Sequence, residues 1–241
     1  MNIALIGYGR MGKEIEKIAR ERGHDLSLII DIDNRHELTP EHLSGADVAI
    51  EFTGPEAAYG NISACFDAHL PVVSGSTGWL DRRGEVEERC RREGQAFFYA
   101  SNFSLGVNIL FHVNRILARI MKRYPEYDVS MEEIHHTQKL DAPSGTAITL
   151  AEGILEEVDR KKRWVNRTTE EPEELSILSR RLDAVPGIHT IRWESEADYL
   201  ELTHSAKSRR GFALGAVLAA EYLRDKKGCF GMGDLLELQE S

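Results

Sequence analysis

Ile3-Ala4-Leu5-Ile6-Gly7-Tyr8-Gly9-Arg10-Met11-Gly12 is the stretch that decides the fold. An apolar run reads as a short buried strand, and the glycines after it follow the spacing G-x-G-x-x-G. Lys13–Arg22 then carries Ile15, Ile18 and Ala19 at helical spacing, and Gly23 ends the pattern. Leu26–Ile30 is a second apolar run that closes on Asp31. Strand, glycine turn, helix and strand make a βαβ unit, with an acid about 20 residues beyond the turn. The three glycines differ in what they permit. Gly7 allows the tight turn, Gly9 lets the backbone approach a pyrophosphate, and Gly12 lets the helix pack close to the strand. The N–H groups that open the helix then face the phosphates. Asp31 is placed to hydrogen-bond the adenosine ribose, which favours NAD, whereas Arg35 is placed to accept a 2′-phosphate, which favours NADP. Arg10, inside the turn, serves either, so both cofactors stay open.

The same alternation continues. Ala46–Phe52, Pro71–Ser74 and Ala96–Ala100 read as strands, with helices over Glu56–Ala68 and Leu80–Gly94 between them. Strands alternating with helices predict an α/β protein with a parallel, doubly wound sheet. Ligands bind at the carboxyl ends of such strands, which makes Thr53, Gly75, Thr77 and Asn102 candidates to line ribose and nicotinamide. Leu105–Tyr124 reads as a long helix leading out of this domain, which puts the boundary at about Ser104. Beyond it come runs of strand character, Tyr127–Ile134, Leu175–Leu182, His189–Glu194 and Tyr199–His204, and a helix over Ala147–Val158. Sequential strands without long helices between them predict a second sheet, antiparallel or mixed. The charged segment Lys161–Glu174 is expected to be an exposed loop, and Arg160–Arg163 a solvated helix end. Phe212–Leu223 reads as a last helix, and Gly228–Leu238 as a tail that docks back on the first domain.

Composition narrows the function. The chain has 241 residues and a net charge of −10, which argues against a nucleic-acid surface. Cys65, Cys90 and Cys229 are widely spaced, with no CxxC, which fits neither a disulfide framework nor a zinc site. The chain opens on a strand with no signal-like segment, and no apolar run approaches ~18 residues, so a soluble cytoplasmic protein is expected.

The chemistry concentrates in Ile134-His135-His136-Thr137-Gln138-Lys139-Leu140-Asp141-Ala142-Pro143-Ser144-Gly145-Thr146, on a strand-to-helix connection. A hydride donor bound in the first domain needs an oriented acceptor and a proton source. A histidine suits the proton, its ordinary pKa of ~6.5 lying near working pH. Lys139 suits a substrate carboxylate, or an acid role if its pKa is lowered. The N–H groups of Gly145 and Thr146, with the hydroxyls of Ser144 and Thr146, make an anion site at a helix start. No metal is expected. His135 and His136 point to opposite sides if the strand runs through them, and no third ligand sits at metal spacing. His189 and His204 look isolated, and Ser144 lacks the G-x-S-x-G context of a hydrolase nucleophile. A dehydrogenase of another small carboxylated substrate shares this pattern. A nucleotide-sensing regulator shares the first domain but has no need of a proton donor.

These residues resemble the 4-hydroxy-tetrahydrodipicolinate reductase (dihydrodipicolinate reductase) family over nearly the whole chain. The likeness rests on Gly9-Arg10-Met11-Gly12, Glu51-Phe52-Thr53 with Pro55, Gly75-Ser76-Thr77-Gly78, Ser101-Asn102-Phe103-Ser104 through Asn108, and above all His135-His136 through Lys139 to Thr146. The resemblance implies a Rossmann-like dinucleotide domain over 1–104, completed by 213–241, and a mixed-sheet domain over 105–212 for substrate binding and tetramerisation. It implies a homotetramer that reduces a cyclic dicarboxylate imine with NADH or NADPH, on the route to diaminopimelate and lysine. His135 falls at the family's proton donor and Lys139 at its second catalytic residue. His136 falls at a substrate contact, and Gly145-Thr146 at the carboxylate-binding turn. Met11 belongs to the cofactor turn, and backbone groups of Gly75, Ser76 and Thr77 and of Ser101, Asn102 and Phe103 fall at nicotinamide contacts. The glycine turn is one residue shorter than the family's commoner form, and Asp183-Ala184 stands where many members carry Gly-Asp.

Overall fold

The computed structural model describes residues 1–238. In chain order the elements are β1 (Asn2–Ile6), α1 (Arg10–Glu21), β2 (Asp25–Ile30), α2 (Pro40–Leu43), β3 (Val48–Glu51), α3 (Pro55–Asp67), β4 (Val72–Ser74), α4 (Arg83–Glu93) and β5 (Ala96–Tyr99). There follow α5 (Leu105–Met121), β6 (Asp128–His135), α6 (Gly145–Leu155), β7 (Arg163–Val165), β8 (Glu174–Arg181), β9 (Ile188–Glu194) and β10 (Tyr199–Ser205). The last three are α7 (Arg210–Leu223), β11 (Gly228–Phe230) and α8 (Met232–Leu235). Two compact units result: Met1–Leu105 with the chain from Arg209 onward, and Gly106–Ser208. The return to the first unit therefore comes at Arg209, ahead of the 213 read from the sequence. Its reason is local: Arg210 already pairs with Glu21 of α1 at 2.6 Å, two residues before the apolar pattern begins. Residues 239–241 of the expected completing segment lie outside the described residues.

The first unit holds a six-stranded sheet in the order β11-β5-β4-β3-β1-β2, and its pairings are parallel. Alternation along β1 explains its two cores. Ile3 and Leu5 face α1 and α7, packing with Ile15, Ile18, Val217 and Leu223. Ala4 and Ile6 face the other side, packing with Leu43, Ile62, Phe66, Val86 and Cys90. Each such fully buried aliphatic side chain stabilises the fold by about 1.5–3 kcal/mol. The tail contributes the sixth strand, Gly228 pairing with Ala96 and Phe230 with Phe98. Arg22 grips Glu221 at 2.7 and 2.8 Å, tying the end of α1 to α7. A Cβ on Gly215 would lie 1.8 Å from the Phe103 carbonyl oxygen, so α7 packs directly on that backbone.

The second unit holds a five-stranded mixed sheet in the order β10-β9-β6-β8-β7. β6 pairs parallel with β8 and antiparallel with β9. Its core gathers Val129, Met131, Ile177, Ile191 and Trp193 of the sheet with Leu110, Leu150 and Ile154 of the helices. The buried row of β6 runs Val129, Met131, Glu133, His135, so one face is apolar at one end and ionisable at the other.

The expected exposed loop over Lys161–Glu174 is more ordered than its composition suggests. Arg163–Val165 forms β7 beside β8. Arg163 and Arg167 converge on the buried Glu174 at 2.7 and 2.8 Å. Nor is Arg160–Arg163 a solvated helix end, because α6 stops at Leu155. Lys161 is buried, bonded to the Glu174 carbonyl at 2.9 Å and paired with Asp128 at 2.7 Å. Charges that read as solvated satisfy one another.

Candidate active site

In the second unit the ionisable end of β6 meets the start of α6. Ser144 is the N-cap of that helix, its Oγ accepting from the Ala147 N–H at 3.2 Å. The Ser144 N–H reaches both oxygens of Glu133 at 3.1 Å. Ser179 Oγ donates to the same carboxylate at 2.8 Å, and Arg181 Nη2 lies 3.4 Å from it. Sheet register sets His189 of β9 directly opposite Glu133, and His189 Nε2 meets Ser144 Oγ at 3.1 Å. The rings of His189 and His135 meet edge-on, their centroids 5.0 Å apart. His135 Nδ1 lies 3.4 Å from Glu133 Oε2, longer than a good hydrogen bond but well within electrostatic reach.

Lys139 follows on the connection. Its ammonium pairs with Asp141 at 2.9 Å, and this pairing holds the Asp141 carboxyl below the usual carboxylate range. Arg181 fastens that loop by donating to the carbonyls of Asp141 at 2.6 Å and Lys139 at 3.4 Å. Thr137 Oγ1 donates to Asp183 at 2.8 Å. The neighbouring Ala184 takes a left-handed φ of 61°.

Burial dominates the electrostatics. It pushes the His135 imidazole below its ordinary value; Glu133 opposes this, while Lys139 and Arg181 add to it. Burial would raise the Glu133 carboxyl, but hydrogen bonds from Ser144 and Ser179 outweigh it and hold the group low. His189 is pushed down to about 4, by burial first and then by the His135 charge. A neutral His189 shares one hydrogen with Ser144 through Nε2, and the tautomer sets its direction.

The depressed value carries a stability consequence. Unfolded, His189 regains its ordinary pKa near ~6.5, so between there and about 4 the unfolded chain binds a proton that the native chain does not. Stability therefore falls as pH falls through that window. His189 alone is expected to remove about 2 kcal/mol between pH 7 and pH 5. Urea unfolding of the protein and of His189→Gln at both pH values checks this. An equal pH dependence in the two proteins contradicts it.

Glu133, His135 and His189 present ligand-type atoms within 4.8 Å of one another, so folding supplies the third group that sequence spacing lacked. The Glu133 oxygens already accept from Ser144 and Ser179, with Arg181 beside them, and Lys139 and Arg181 act on His135. A further cation is opposed there by the charges of Lys139 and Arg181.

In the first unit a cavity of about 470 Å³ is lined by Gly7, Gly9, Asp31, Arg35 and Thr53 among others. Gly7 has φ 98°, and a Cβ on it would lie 2.2 Å from the Phe52 carbonyl oxygen. A Cβ on Gly12 would lie 2.2 Å from the Gly7 carbonyl oxygen, so this glycine sets the close approach of α1. At Gly9 a Cβ meets nothing within 4 Å, and Gly9 caps α1 with no side-chain bond. The opening N–H groups of α1 thus face a side left clear for phosphate, as a dinucleotide needs. Arg10 is exposed at the first position of α1, and Met11 packs on the core. Gly75, Ser76 and Thr77 follow β4, and Ser101, Asn102 and Phe103 follow β5, outside the lining of that cavity. A Cβ on Gly75 would strike the Phe52 ring at 2.2 Å. Ser76 turns its hydroxyl inward to Glu51 while its carbonyl accepts from Trp79 Nε1 at 2.8 Å, and Phe103 buries its ring against Phe52.

Of the residues read from the sequence, His135 and Ser144 are brought to one cluster, and Lys139 is tied to it through Arg181. His136 is half-buried beside them. Within the anion turn, Ser144 is buried with its hydroxyl engaged, so the outward positions are Gly145, exposed, and Thr146, half-buried. The sequence pattern missed Glu133, Ser179 and Arg181, and left His189 isolated. Alternation along β6 carried the signal for Glu133, two residues before His135.

Among the described residues no helix is long and apolar enough to cross a membrane. Residues 1–103 match the family model for the dihydrodipicolinate reductase N-terminus, and residues 106–236 match that for its C-terminus. The 4-hydroxy-tetrahydrodipicolinate reductase of Christiangramia forsetii is 53% identical over 237 residues, 98% of each chain. That of Natronomonas pharaonis is 38% identical, covering 94% of this chain and 96% of its own. Dipicolinate-bound dihydrodipicolinate reductase from Paenisporosarcina sp. TG-14 shares the fold, with a TM-score of 0.77 over 97% of this chain and 99% of that one at 23% identity. With both halves matched and a relative this similar along its whole length, the chain belongs to the dihydrodipicolinate reductase family.

Proposed function

We propose that the protein is a 4-hydroxy-tetrahydrodipicolinate reductase. It reduces the cyclic dicarboxylate imine derived from 4-hydroxy-tetrahydrodipicolinate to tetrahydrodipicolinate, in diaminopimelate and lysine biosynthesis. The observation that carries the reading is the buried Glu133–His135–His189 cluster at the start of α6, in a chain of this family whose other unit opens on a dinucleotide turn.

The nicotinamide, when bound, supplies the hydride. The turn from Gly7 to Gly12 holds the pyrophosphate, Asp31 the ribose, and the backbones of Gly75–Thr77 and Ser101–Phe103 the nicotinamide. His135 gives the proton. Lys139 and the Gly145–Thr146 turn take the substrate carboxylates, and His136 adds a contact. Burial keeps His135 neutral near pH 7 in the free protein. A substrate bearing two carboxylates favours the charged imidazole, so binding it raises the proton donor's pKa toward the working range.

NADH and NADPH both fit the first unit, because Asp31 and Arg35 line one cavity. Asp31 favours the free ribose hydroxyls and Arg35 the 2′-phosphate. We assign the enzyme to the cytoplasm as a homotetramer assembled through the second sheet, where the edge strand β10 exposes Tyr199 and Leu200.

The test is turnover by purified protein on the aldol product of pyruvate and aspartate semialdehyde, with each cofactor. Cofactor oxidation is expected with this substrate and not with other small oxo acids. Arg35→Ala is expected to raise KM for NADPH about tenfold and leave KM for NADH in place; a tenfold change corresponds to about 1.4 kcal/mol of binding. No oxidation of either cofactor with this substrate overturns the assignment.

A further inference from the structure

We propose that Glu133 is the positioning residue for the proton donor: its carboxylate faces Nδ1 of His135 and leaves Nε2 as the atom that gives up the proton. The inference deepens the reading of His135 as the donor and rests on it.

The carboxylate is unusually well fixed. Glu133 is fully buried, and its oxygens are set by the Ser144 N–H, Ser179 Oγ and Arg181. It shares the inward row of β6 with His135, so its place relative to that ring is set by the strand. Its Oε2 stands 3.4 Å from His135 Nδ1, a separation that a charged imidazole shortens, since catalytic hydrogen bonds tighten when the reacting state forms.

The opposite nitrogen has different surroundings. A Cβ on Gly187 would lie 3.0 Å from His135 Nε2 and 3.2 Å from Cδ2. The chain entering β9 thus passes the Nε2 edge where a glycine keeps side-chain atoms away. His189 packs on the ring from the side, its own Nε2 committed to Ser144 Oγ. One nitrogen is held by a fixed anion and the other is left clear. The cycle balances in protons. Charged His135 gives the Nε2 proton to the substrate, keeps Nδ1–H toward Glu133, and regains a proton at Nε2 from water. Glu133 stays ionised throughout.

The charges around His135 set the sign of the test. Lys139, Arg181 and a charged His189 disfavour the imidazolium, while Glu133 and Asp141 favour it. Removing the Glu133 charge leaves only the more exposed Asp141 on the favouring side. Glu133→Gln keeps the shape, and is expected to lower kcat about 10²-fold. It should also move the basic limb of the kcat profile to lower pH, with the dissociation constant for NADPH unchanged. A purely structural Glu133 predicts a lower kcat or a lower melting temperature with that limb in place, and this outcome overturns the proposal. Should the variant not fold, nitrogen-15 NMR of the unaltered protein decides, with the His135 resonance identified by its loss in His135→Gln. Neutral His135 is expected as the Nδ1–H tautomer, and an Nε2–H tautomer overturns the proposal. Normal turnover in His135→Gln removes the donor reading and this inference together. An inactive His135→Gln beside an unaltered Glu133→Gln removes this inference alone.

Discussion

His135→Gln is expected to lower kcat by about 10²–10⁴-fold, the range over which a placed general acid contributes, while NADPH binds as before. Glutamine keeps the length and a polar end, but its amide is far too weak an acid to give a proton to the substrate. The separation of effects follows from where the groups lie. The dinucleotide cavity is lined by residues of the first unit, and His135 sits in the second. Lys139→Ala is expected to differ in kind. The Lys139 ammonium is half-exposed and pairs with the exposed Asp141 at 2.9 Å, the setting of a carboxylate anchor. Its loss should appear mainly as a higher KM for the substrate, since removing a contact made equally before and during reaction leaves kcat in place. Stopped-flow single turnovers and fluorescence titration of NADPH separate the quantities. A His135→Gln protein with kcat within threefold of the parent contradicts the assigned chemistry.

Local pattern made the first unit legible. Ile3 to Gly12 predicted β1, the turn and α1 because a buried strand, a tight turn and a close helix each need specific residues within a few positions. The same holds for Ser144, whose cap of α6 needs only its own neighbours. What stayed hidden depends on pairing across the sheet. His189 comes to Glu133 because β9 runs antiparallel to β6 in one register, and nothing near His189 announces that register. Ser179 and Arg181 reach the same carboxylate from β8 for the same reason. The charged segment before Glu174 misled in another way. Arg163, Arg167 and Thr169 all bond one buried carboxylate, and a sequence shows the charges without showing that they meet. β11 is three residues long, too short for a period to declare itself, so it read as a docking tail and not as the sixth strand.

Glu51→Ala is expected to lower stability by about 3–5 kcal/mol, in the range seen when a buried polar network loses its centre. Glu51 is fully buried at the end of β3. Its carboxylate accepts from the Thr53 N–H at 2.9 Å, Thr53 Oγ1 at 2.5 Å, Ser74 Oγ at 2.6 Å and Ser76 Oγ at 2.8 Å. Alanine leaves those donors facing a cavity. The hydroxyls can turn, and the Thr53 N–H keeps Ser76 Oγ at 2.9 Å, which is why the expected loss is less than the sum of separate orphans. Glu51→Gln should cost less, because it fills the space and retains one acceptor oxygen. The functional effect should accompany the structural one. Thr53 lines the dinucleotide cavity, and Ser76 lies in the segment after β4 assigned to the nicotinamide. The carboxylate joins those two segments, and Asn61 of α3 joins it through Thr53 at 3.1 Å. Loosening it should weaken NADPH binding about tenfold even where the protein remains folded, since a site must be held near its productive geometry by the groups behind it. Urea unfolding and NADPH titration of both variants check this. If affinity holds while stability falls, Glu51 serves the sheet alone; if both fall together and glutamine restores most of each, the buried carboxylate is what keeps the two cofactor segments in register.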